Sequence, residues 1–252
     1  LTNTIKRQYV LSITYQAVRK AVNTLQQQNV LNKKGKKYSL NKEWILQMKS
    51  FFDNLSTTHE SGQPVKLFTQ EMAKEDYAVY TLNTLLDLDN FWGEIMTYWS
   101  NHTKDKNYLS VGHYSWWMLI NLGRETKLFE HFKQKNIKSA YLILKNNALN
   151  RWSAQIYQGL KVKALIKELK EEENLDINIM GDTIIQVKYP PEIMNKIKKI
   201  FEKYKTTQEL NFIEITQLAY QPCEIKFIVF KNPSMANSLR ENYQKYFSQY
   251  LP

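Results

Sequence analysis

Apolar positions near the start of the chain recur at three- and four-residue spacing, which predicts a helix over residues 14–29. The apolar residues of this face are Tyr15, Val18, Val22 and Leu25. Ser12 or Thr14 can cap the helix, because a side-chain oxygen at that position accepts from the free N–H groups of the first turn. A shorter helix is expected over residues 3–10, with residues 11–13 forming the turn between the two.

Two short alternating segments follow the helix and predict a β-hairpin. Residues 30–34 and 36–40 flank Gly35, and glycine readily adopts the positive φ that a tight turn needs. Two helices joined by a short turn and followed by a hairpin form a winged helix. The second helix of such a unit enters the major groove of DNA, and the wing contacts the adjacent backbone.

Beyond residue 65 the pattern becomes an alternation of strands and helices. Predicted strands are 77–84, 108–112, 137–144, 175–180, 183–189, 212–220 and 224–230, and predicted helices are 89–101, 115–135, 148–160, 192–204 and 233–250. Residues 175–189 form a hairpin around Gly181, and Pro190 and Pro191 introduce the helix after it. This order predicts an α/β domain with a mostly parallel or mixed sheet covered by helices.

The junction between the two parts is placed in residues 57–64, a polar stretch that contains Gly62 and Pro64. A connecting helix over residues 42–55 has a broad apolar face, which can pack against its twin in a dimer or against its own chain. The predicted organisation is therefore an α+β or α/β chain in three segments. These are a winged helix-turn-helix at 1–41, a connecting helix and linker at 42–64, and a larger α/β effector or dimerisation domain at 65–252.

The positive charge is concentrated at the N-terminus. Residues 1–50 contain ten basic residues and one acid, a charge of +9, which leaves +2 of the net +11 for the other 202 residues. A basic module on a nearly neutral body is typical of nucleic-acid binding. The alternative is a solvated lysine-rich surface without a partner.

The polar side chains of the predicted helix and hairpin fit contacts with double-stranded DNA. Arginine, glutamine and asparagine pair with base edges, and lysine contacts phosphates. We assign base edges to Gln16, Arg19 and Asn23; phosphates to Lys20, Lys33, Lys34, Lys36 and Lys37; and the DNA backbone at the helix entrance to Thr14 and Tyr15.

Residues 12–45, SITYQAVRKAVNTLQQQNVLNKKGKKYSLNKEWI, resemble the winged helix-turn-helix of archaeal transcriptional regulators of the TrmB type. Asn29 stands where such regulators often have glycine, a substitution that asparagine tolerates because it can adopt positive φ. The chain begins at Leu1, and the first helix of the usual three-helix unit is expected upstream. The resemblance implies a DNA-binding regulator that forms a homodimer and has a C-terminal effector domain.

The C-terminal part resembles, more weakly, the phospholipase-D-like effector domain of these regulators, most clearly in residues 225–247, IKFIVFKNPSMANSLRENYQKYF. A phospholipase-D-type enzyme needs the motif H-x-K-x-x-x-x-D. His102 and Lys104 begin such a motif, but Leu109 occupies the aspartate position and no second copy exists. We therefore expect a sensing domain without catalytic residues.

Other sequence features narrow the function further. Glycine is scarce, and the phosphate-binding loops G-x-G-x-x-G and G-x-x-x-x-G-K-[ST] are missing. Cys223 is the only cysteine, and the four histidines show no metal-ligand spacing. No apolar run approaches the ~20 residues of a membrane helix. We expect a cytoplasmic protein without a cofactor or metal and without a membrane partner.

A small-molecule effector site is predicted where the strand over residues 108–112 ends and a helix begins, because open α/β sheets bind ligands at such edges. Gly112 allows close approach. His113 and Ser115 offer hydrogen bonds, and Trp116 and Trp117 offer stacking faces. The alternative is that the two tryptophans only fill the core or a dimer contact.

The sequence favours a sequence-specific, dimeric, DNA-binding transcription regulator. Two other classes stay open. One is a replication-initiation or partner-recruiting protein that uses the same winged helix, and the other is a phospholipase-D-like nuclease. The sequence does not distinguish an activator from a repressor.

The assigned roles predict different effects for two substitutions. Arg19→Ala should relax base specificity, whereas Lys36→Ala should weaken binding to all DNA alike and lower the slope of log K against log salt by ~1. Binding to matched and mismatched duplexes at several salt concentrations checks this. A uniform loss from both substitutions would contradict base reading by Arg19.

Overall fold

The computed structural model describes residues 14–35, 37–45, 76–172 and 174–248. The chain divides into two compact units, Leu1–Ser61 with Asn211–Ile213, and Gly62–Leu210 with Glu214–Pro252. The predicted helix at 3–10, the turn at 11–13, Lys36, the connecting helix beyond residue 45 and the junction at 57–64 lie outside the described residues. The predicted domain boundaries stay predictions.

The N-terminal unit contains a helix and a hairpin. Helix α1 (Tyr15–Gln27) begins at Thr14, whose side-chain oxygen accepts from the Ala17 N–H at 3.2 Å. Strands β1 (Leu31–Lys34) and β2 (Lys37–Leu40) pair antiparallel. Positive φ at Gly35 (64°) and Asn29 (57°) turns the chain at the hairpin tip and at the end of the helix. The predictions for these local elements are confirmed, and another helix begins at Lys42.

The predicted apolar face of α1 is only partly correct. Val18 and Val22 are buried, but Tyr15 is 67% exposed and Leu25 is 38% exposed. Tyr15 occupies the first position of the helix and Leu25 lies in its last turn, so both are at the ends of the buried stripe.

The C-terminal unit alternates strands and helices. Its elements are β3 (Tyr77–Leu82), α2 (Leu85–His102), β4 (Asn107–Gly112), α3 (Trp117–Gln134), β5 (Lys138–Ile143), α4 (Ala148–Gly159), β6 (Lys163–Ile166), β7 (Leu175–Met180), β8 (Thr183–Lys188), α5 (Pro191–Lys203), a 3₁₀ turn (Thr207–Glu209), α6 (Phe212–Tyr220), β9 (Ile225–Lys231) and α7 (Pro233–Ser248). The strands form one sheet in the order β3-β9-β8-β7-β4-β5-β6. Strands β4, β5 and β6 are parallel, and the other neighbours pair antiparallel. The predicted mixed sheet is confirmed.

Both faces of this sheet are covered. Side chains alternate along each strand, so Leu109 and Val111 of β4 pack on one face while Tyr108 points to the other. The first face packs with Ala236 and Tyr243 of α7. The second face packs against the remaining helices in a large apolar cluster, and all the polar groups described below lie on this face.

Two predictions for this unit are wrong, and one strand is absent from the predicted elements. Residues 212–220 form helix α6 rather than a strand. Its buried residues Ile215, Leu218 and Ala219 fall at helical spacing, but its β-branched residues favoured the strand prediction. Helix α2 begins at Leu85 rather than at residue 89, because Thr84 caps it by accepting from the Asp87 N–H at 3.0 Å. Strand β6 is too short and too mixed in polarity to show in the pattern.

The loop between β4 and α3 is held by one buried amide. The Asn150 side chain donates to the backbone oxygens of His113 at 2.8 Å and Lys145 at 2.9 Å, and it accepts from the Ser115 N–H at 3.2 Å. Asn150 is fully buried. The amide therefore satisfies three backbone groups that would otherwise be buried without a partner.

Asn150→Ala is expected to lower the free energy of unfolding by about 2–4 kcal/mol, because buried backbone groups lose their partners. Urea unfolding measures the change. Asn146→Ala, in the segment just before α4 and exposed, is the matched control and should stay within about 0.5 kcal/mol of the wild type. Equal losses in both variants would contradict the role given to Asn150.

Candidate nucleic-acid interface and internal cavity

One face of α1 is polar, basic and exposed. Gln16, Arg19, Lys20 and Asn23 are all exposed, and they lie opposite the buried Val18 and Val22. The first turn of α1 contains no acidic residue. The positive end of the helix dipole and the basic side chains therefore act together on any nearby anion.

The hairpin places further lysines beside each other. Lys34 pairs directly with Lys37 across the two strands, and Lys33 is opposite Tyr38. The Lys33 ammonium lies 5.8 Å from the centre of the Tyr38 ring, a cation–π distance. All three lysines are exposed, so their charges are open to a polyanion. Lys36, predicted to contact phosphate, lies outside the described residues.

Thr14 and Tyr15, assigned to the DNA backbone, are both exposed at the start of α1. The Thr14 oxygen already accepts from the Ala17 N–H, and its O–H remains able to donate. The structure thus brings all the described DNA-binding candidates to the exposed surface of the N-terminal unit. Their contact with DNA stays a prediction.

The C-terminal unit contains a cavity between the second sheet face and helices α2, α3 and α4. Its volume is about 40 Å³. A single water needs ~10–15 Å³ when volume is measured in the same way, so the cavity has room for a few waters or one small chemical group. Aromatic rings form most of its wall. They belong to Trp92, Tyr108, Trp116, Trp117, Phe129, Tyr141, Tyr157 and Tyr189.

Glu125 of α3 reaches this cavity and is only 7% exposed. Its Oε1 accepts from the Tyr157 hydroxyl at 2.5 Å and from the Trp117 indole N–H at 3.1 Å. Burial raises the pKa of Glu125 to about 7, although the Tyr157 hydrogen bond lowers it in part. The carboxyl group therefore exchanges its proton near neutral pH.

Asp176 of β7 forms a second buried carboxyl group and is 5% exposed. Its Oδ2 accepts from the Tyr189 hydroxyl at 2.6 Å, and the Tyr189 oxygen accepts from the Trp116 indole N–H at 3.1 Å. Burial raises the pKa of Asp176 to about 7, against the hydrogen bonds from Tyr189 and from the His113 backbone. The carboxylate approaches Gly112 so closely that a Cβ there would stand 2.5 Å from Oδ1.

A third carboxyl group at the cavity has a cationic partner. Asp89 Oδ2 lies 3.2 Å from Arg124 Nη1 and accepts from the Asn121 amide at 3.2 Å. Burial raises the pKa of Asp89 to about 6, and the Arg124 charge opposes this rise. Asn121 also has non-helical backbone angles, which kink α3 at this point.

Of the four predicted effector residues, two line the cavity and two do not. Trp116 and Trp117 line it, and each indole N–H belongs to one of the two carboxyl networks. His113 is buried outside the lining and contributes a backbone N–H to Asp176. Ser115 is fully buried, and its hydroxyl lowers the pKa of Tyr141, which burial raises. The close approach expected at Gly112 occurs, with Asp176 as the neighbour.

The sequence interpretation missed the carboxyl groups. Asp176 and Asn178 alternate with isoleucines in β7, a pattern that usually marks a solvent-facing side. Here helices cover that side, so the polar positions are internal. Glu125 carried a usable signal, because it falls at helical spacing with the buried Met118, Leu128 and Phe132.

The region of the phospholipase-D-like motif has a structural role. His102 ends α2, and its Nδ1 lies 2.7 Å from the Tyr98 carbonyl oxygen while the two rings stack at 4.2 Å. Leu109, at the aspartate position, is buried in the core. Across the described ranges no group of three or more His, Cys, Asp or Glu residues could hold a metal ion. No helix in the described part of the chain is long and apolar enough to cross a membrane.

Neither a protein-family comparison nor a search of curated proteins finds a match. Among solved structures, the chain is similar to TrmBL2, an archaeal chromatin protein whose structure shows a novel mode of DNA binding. The TM-score is 0.44 at 11% identity over 96% of this chain and 84% of that one. It is also similar to Nuc, a phospholipase D family member from Salmonella typhimurium, with a TM-score of 0.36 at 11% identity over 69% of this chain and 95% of that one. At these values neither neighbour assigns a role to any residue here.

The raised pKa values predict how stability depends on pH. Between about pH 4.5 and pH 7 the folded chain keeps protons on Glu125 and Asp176 that the unfolded chain releases. The free energy of unfolding therefore falls as pH rises, by up to about 1.4 kcal/mol per pH unit for each group. Glu125→Gln keeps the accepting Oε1 and should remove one group's share of this slope.

Urea unfolding at several pH values measures the effect, with Glu130→Gln, exposed on the same helix, as the matched control. The control should keep the wild-type slope. An unchanged slope in Glu125→Gln would show that this carboxyl group is ionised normally in the folded chain.

Proposed function

We propose that this protein is a sequence-specific DNA-binding transcription regulator that acts as a homodimer in the cytoplasm. The N-terminal unit reads DNA, and the C-terminal unit senses a small molecule through its cavity without catalysis. The observation that carries the proposal is the exposed basic face of α1 next to a lysine-rich hairpin, in the part of the chain that holds most of the net charge.

The dimensions of α1 suit the major groove. Its 13 residues span about 20 Å, and the groove is about 12 Å wide, which admits a helix. Val18 and Val22 fix which side of the helix turns inward, so Gln16, Arg19 and Asn23 share the outward side. These residue types make bidentate or single hydrogen bonds to base edges.

The hairpin supports a second contact with the DNA backbone. Positive φ at Gly35 makes the turn tight, and the pairing of Lys34 with Lys37 puts two charges side by side. Like charges in this position repel each other unless an anion lies between or beside them. Phosphate groups of the DNA backbone supply such anions.

Dimerisation follows from the size of the reading surface. One short recognition helix contacts only a few base pairs, and a two-fold repeat is the usual way to reach useful specificity. The proposal therefore includes a two-fold symmetric operator. The absence of catalysis is supported by Leu109, which takes the place of the aspartate that phospholipase-D-type chemistry requires.

The test is selection of bound fragments from the DNA of the source genome at low and at higher salt, with competitor DNA present. We expect a short palindromic site that survives the higher salt, because base contacts add to the salt-sensitive phosphate contacts. Lys34→Gln should reduce binding to all fragments, whereas Lys127→Gln, an exposed lysine of the C-terminal unit, should leave it unchanged. Sequence-independent binding that disappears at the higher salt would overturn the proposal of a specific regulator.

A further inference from the structure

The cavity is acidic and aromatic, and this combination restricts what it can bind. Three carboxyl groups line it, those of Asp89, Glu125 and Asp176, and none of its lining residues is lysine, arginine or histidine. Arg124 compensates Asp89 from outside the lining. Glu125 and Asp176 have only neutral hydrogen-bond donors among the contacts described above. An anionic ligand would meet uncompensated like charge here.

The same wall favours a positive charge in a second way. Aromatic rings attract cations to their faces, most strongly in a desolvated site. The rings of Trp116 and Trp117 pack at 5.4 Å, and Trp117 and Tyr141 pack at 5.8 Å, so neighbouring rings of the wall contact one another. A buried carboxylate and several aromatic faces together stabilise an organic cation.

The buried Tyr141 hydroxyl is available to a ligand. The Tyr141 hydroxyl lines the cavity, is 2% exposed as a residue, and makes no hydrogen bond of ordinary length and angle within the described structure. The Ser115 hydroxyl lowers the pKa of Tyr141 from nearby, but it makes no such hydrogen bond either. Buried hydroxyl groups normally have a partner. A bound group, or water carried with it, would provide one.

We propose that the cavity binds a small organic cation with an ammonium head group, held between the carboxyl groups of Glu125 and Asp176 and the surrounding aromatic rings. The cavity volume admits a head group of a few heavy atoms. A metal ion does not fit as well, because the described acids are not grouped closely enough to coordinate one. A neutral sugar or alcohol needs no uncompensated carboxyl groups.

An organic cation would be the small molecule that the proposed regulator senses. Only the effect of the cation on DNA binding rests on that proposed function. The binding test uses the full chain without DNA, so it can succeed or fail independently of the proposed regulator function. Methylammonium and tetramethylammonium are the cationic probes, tert-butanol and sucrose are the neutral ones, and calorimetry with tryptophan fluorescence gives the readout. Saturable binding of at least one cation and no binding of the neutral probes is the expected result.

Two variants locate the site. Glu125→Gln keeps the hydrogen bonds at Oε1 and removes only the charge, so it should weaken cation binding about ten- to hundredfold. Asp176→Asn should act in the same direction. Glu130→Gln and Asp182→Asn, which change exposed acids in α3 and in the turn between β7 and β8, should bind as the wild type does. Thermal unfolding confirms that each variant is folded.

Cation affinity should also rise between about pH 6 and pH 8, because both carboxyl groups lose protons in this range while tetramethylammonium keeps its charge. The other titratable or charged groups that face them are Asp89, Arg124, Tyr108, Tyr141, Tyr157 and Tyr189. No saturable binding of either cation, equal binding of a neutral probe, or unchanged binding in Glu125→Gln would each overturn the assignment.

Discussion

Burial of two carboxyl groups that have no cationic partner among the described residues is the constraint around which the C-terminal unit is built. Glu125 and Asp176 lie between one sheet face and its helices, where the described donors to their oxygens are hydroxyl and indole groups rather than lysine or arginine. Such an arrangement needs neighbours that donate hydrogen bonds and exclude water. The adjacent residues Trp116 and Trp117 meet this need together, since each indole reaches one of the two networks.

The loop that carries Trp116 and Trp117 is also shaped by the buried carboxyl groups. Gly112 has no Cβ, which lets the Asp176 carboxylate lie against the end of β4. The Asn150 side chain then holds the backbone of His113 and Ser115, which follow Gly112, by hydrogen bonds. The carboxyl end of β4, where open α/β sheets commonly bind ligands, is thus occupied by an internal polar network that borders a cavity. The proposed sensing role would use this network, because burial raises the pKa of both of its carboxyl groups to about 7.

Local turn chemistry made much of the fold predictable from the sequence. Gly35 and Gly181 both adopt positive φ at the tips of the predicted hairpins, and Thr14 caps the predicted helix. Helix α6 was missed because Ile213, Ile215 and Thr216 are β-branched, whereas its burial follows helical spacing. Local preference is weaker than tertiary packing in so short a segment.

The candidate sites were predictable to different extents for a physical reason. The proposed DNA-binding face is exposed and charged, so the residues assigned to it are visible in the charge distribution of residues 1–50. The cavity depends on long-range packing. Helix α3 packs on the sheet face that carries Asp176 of β7, although Glu125 and Asp176 are far apart in the chain. The tryptophan pair after β4 indicated where the cavity lies, but no local sequence pattern indicated that carboxyl groups line it.

The most direct test of this account is a carbon-13 NMR titration of the side-chain carboxyl groups in the full chain. Glu125→Gln and Asp176→Asn would assign the two resonances. The account predicts pKa values near 7 for both groups in the free protein, and a fall in both when tetramethylammonium or methylammonium is added. Values near those of exposed carboxyl groups, or values that neither cation changes, would contradict it.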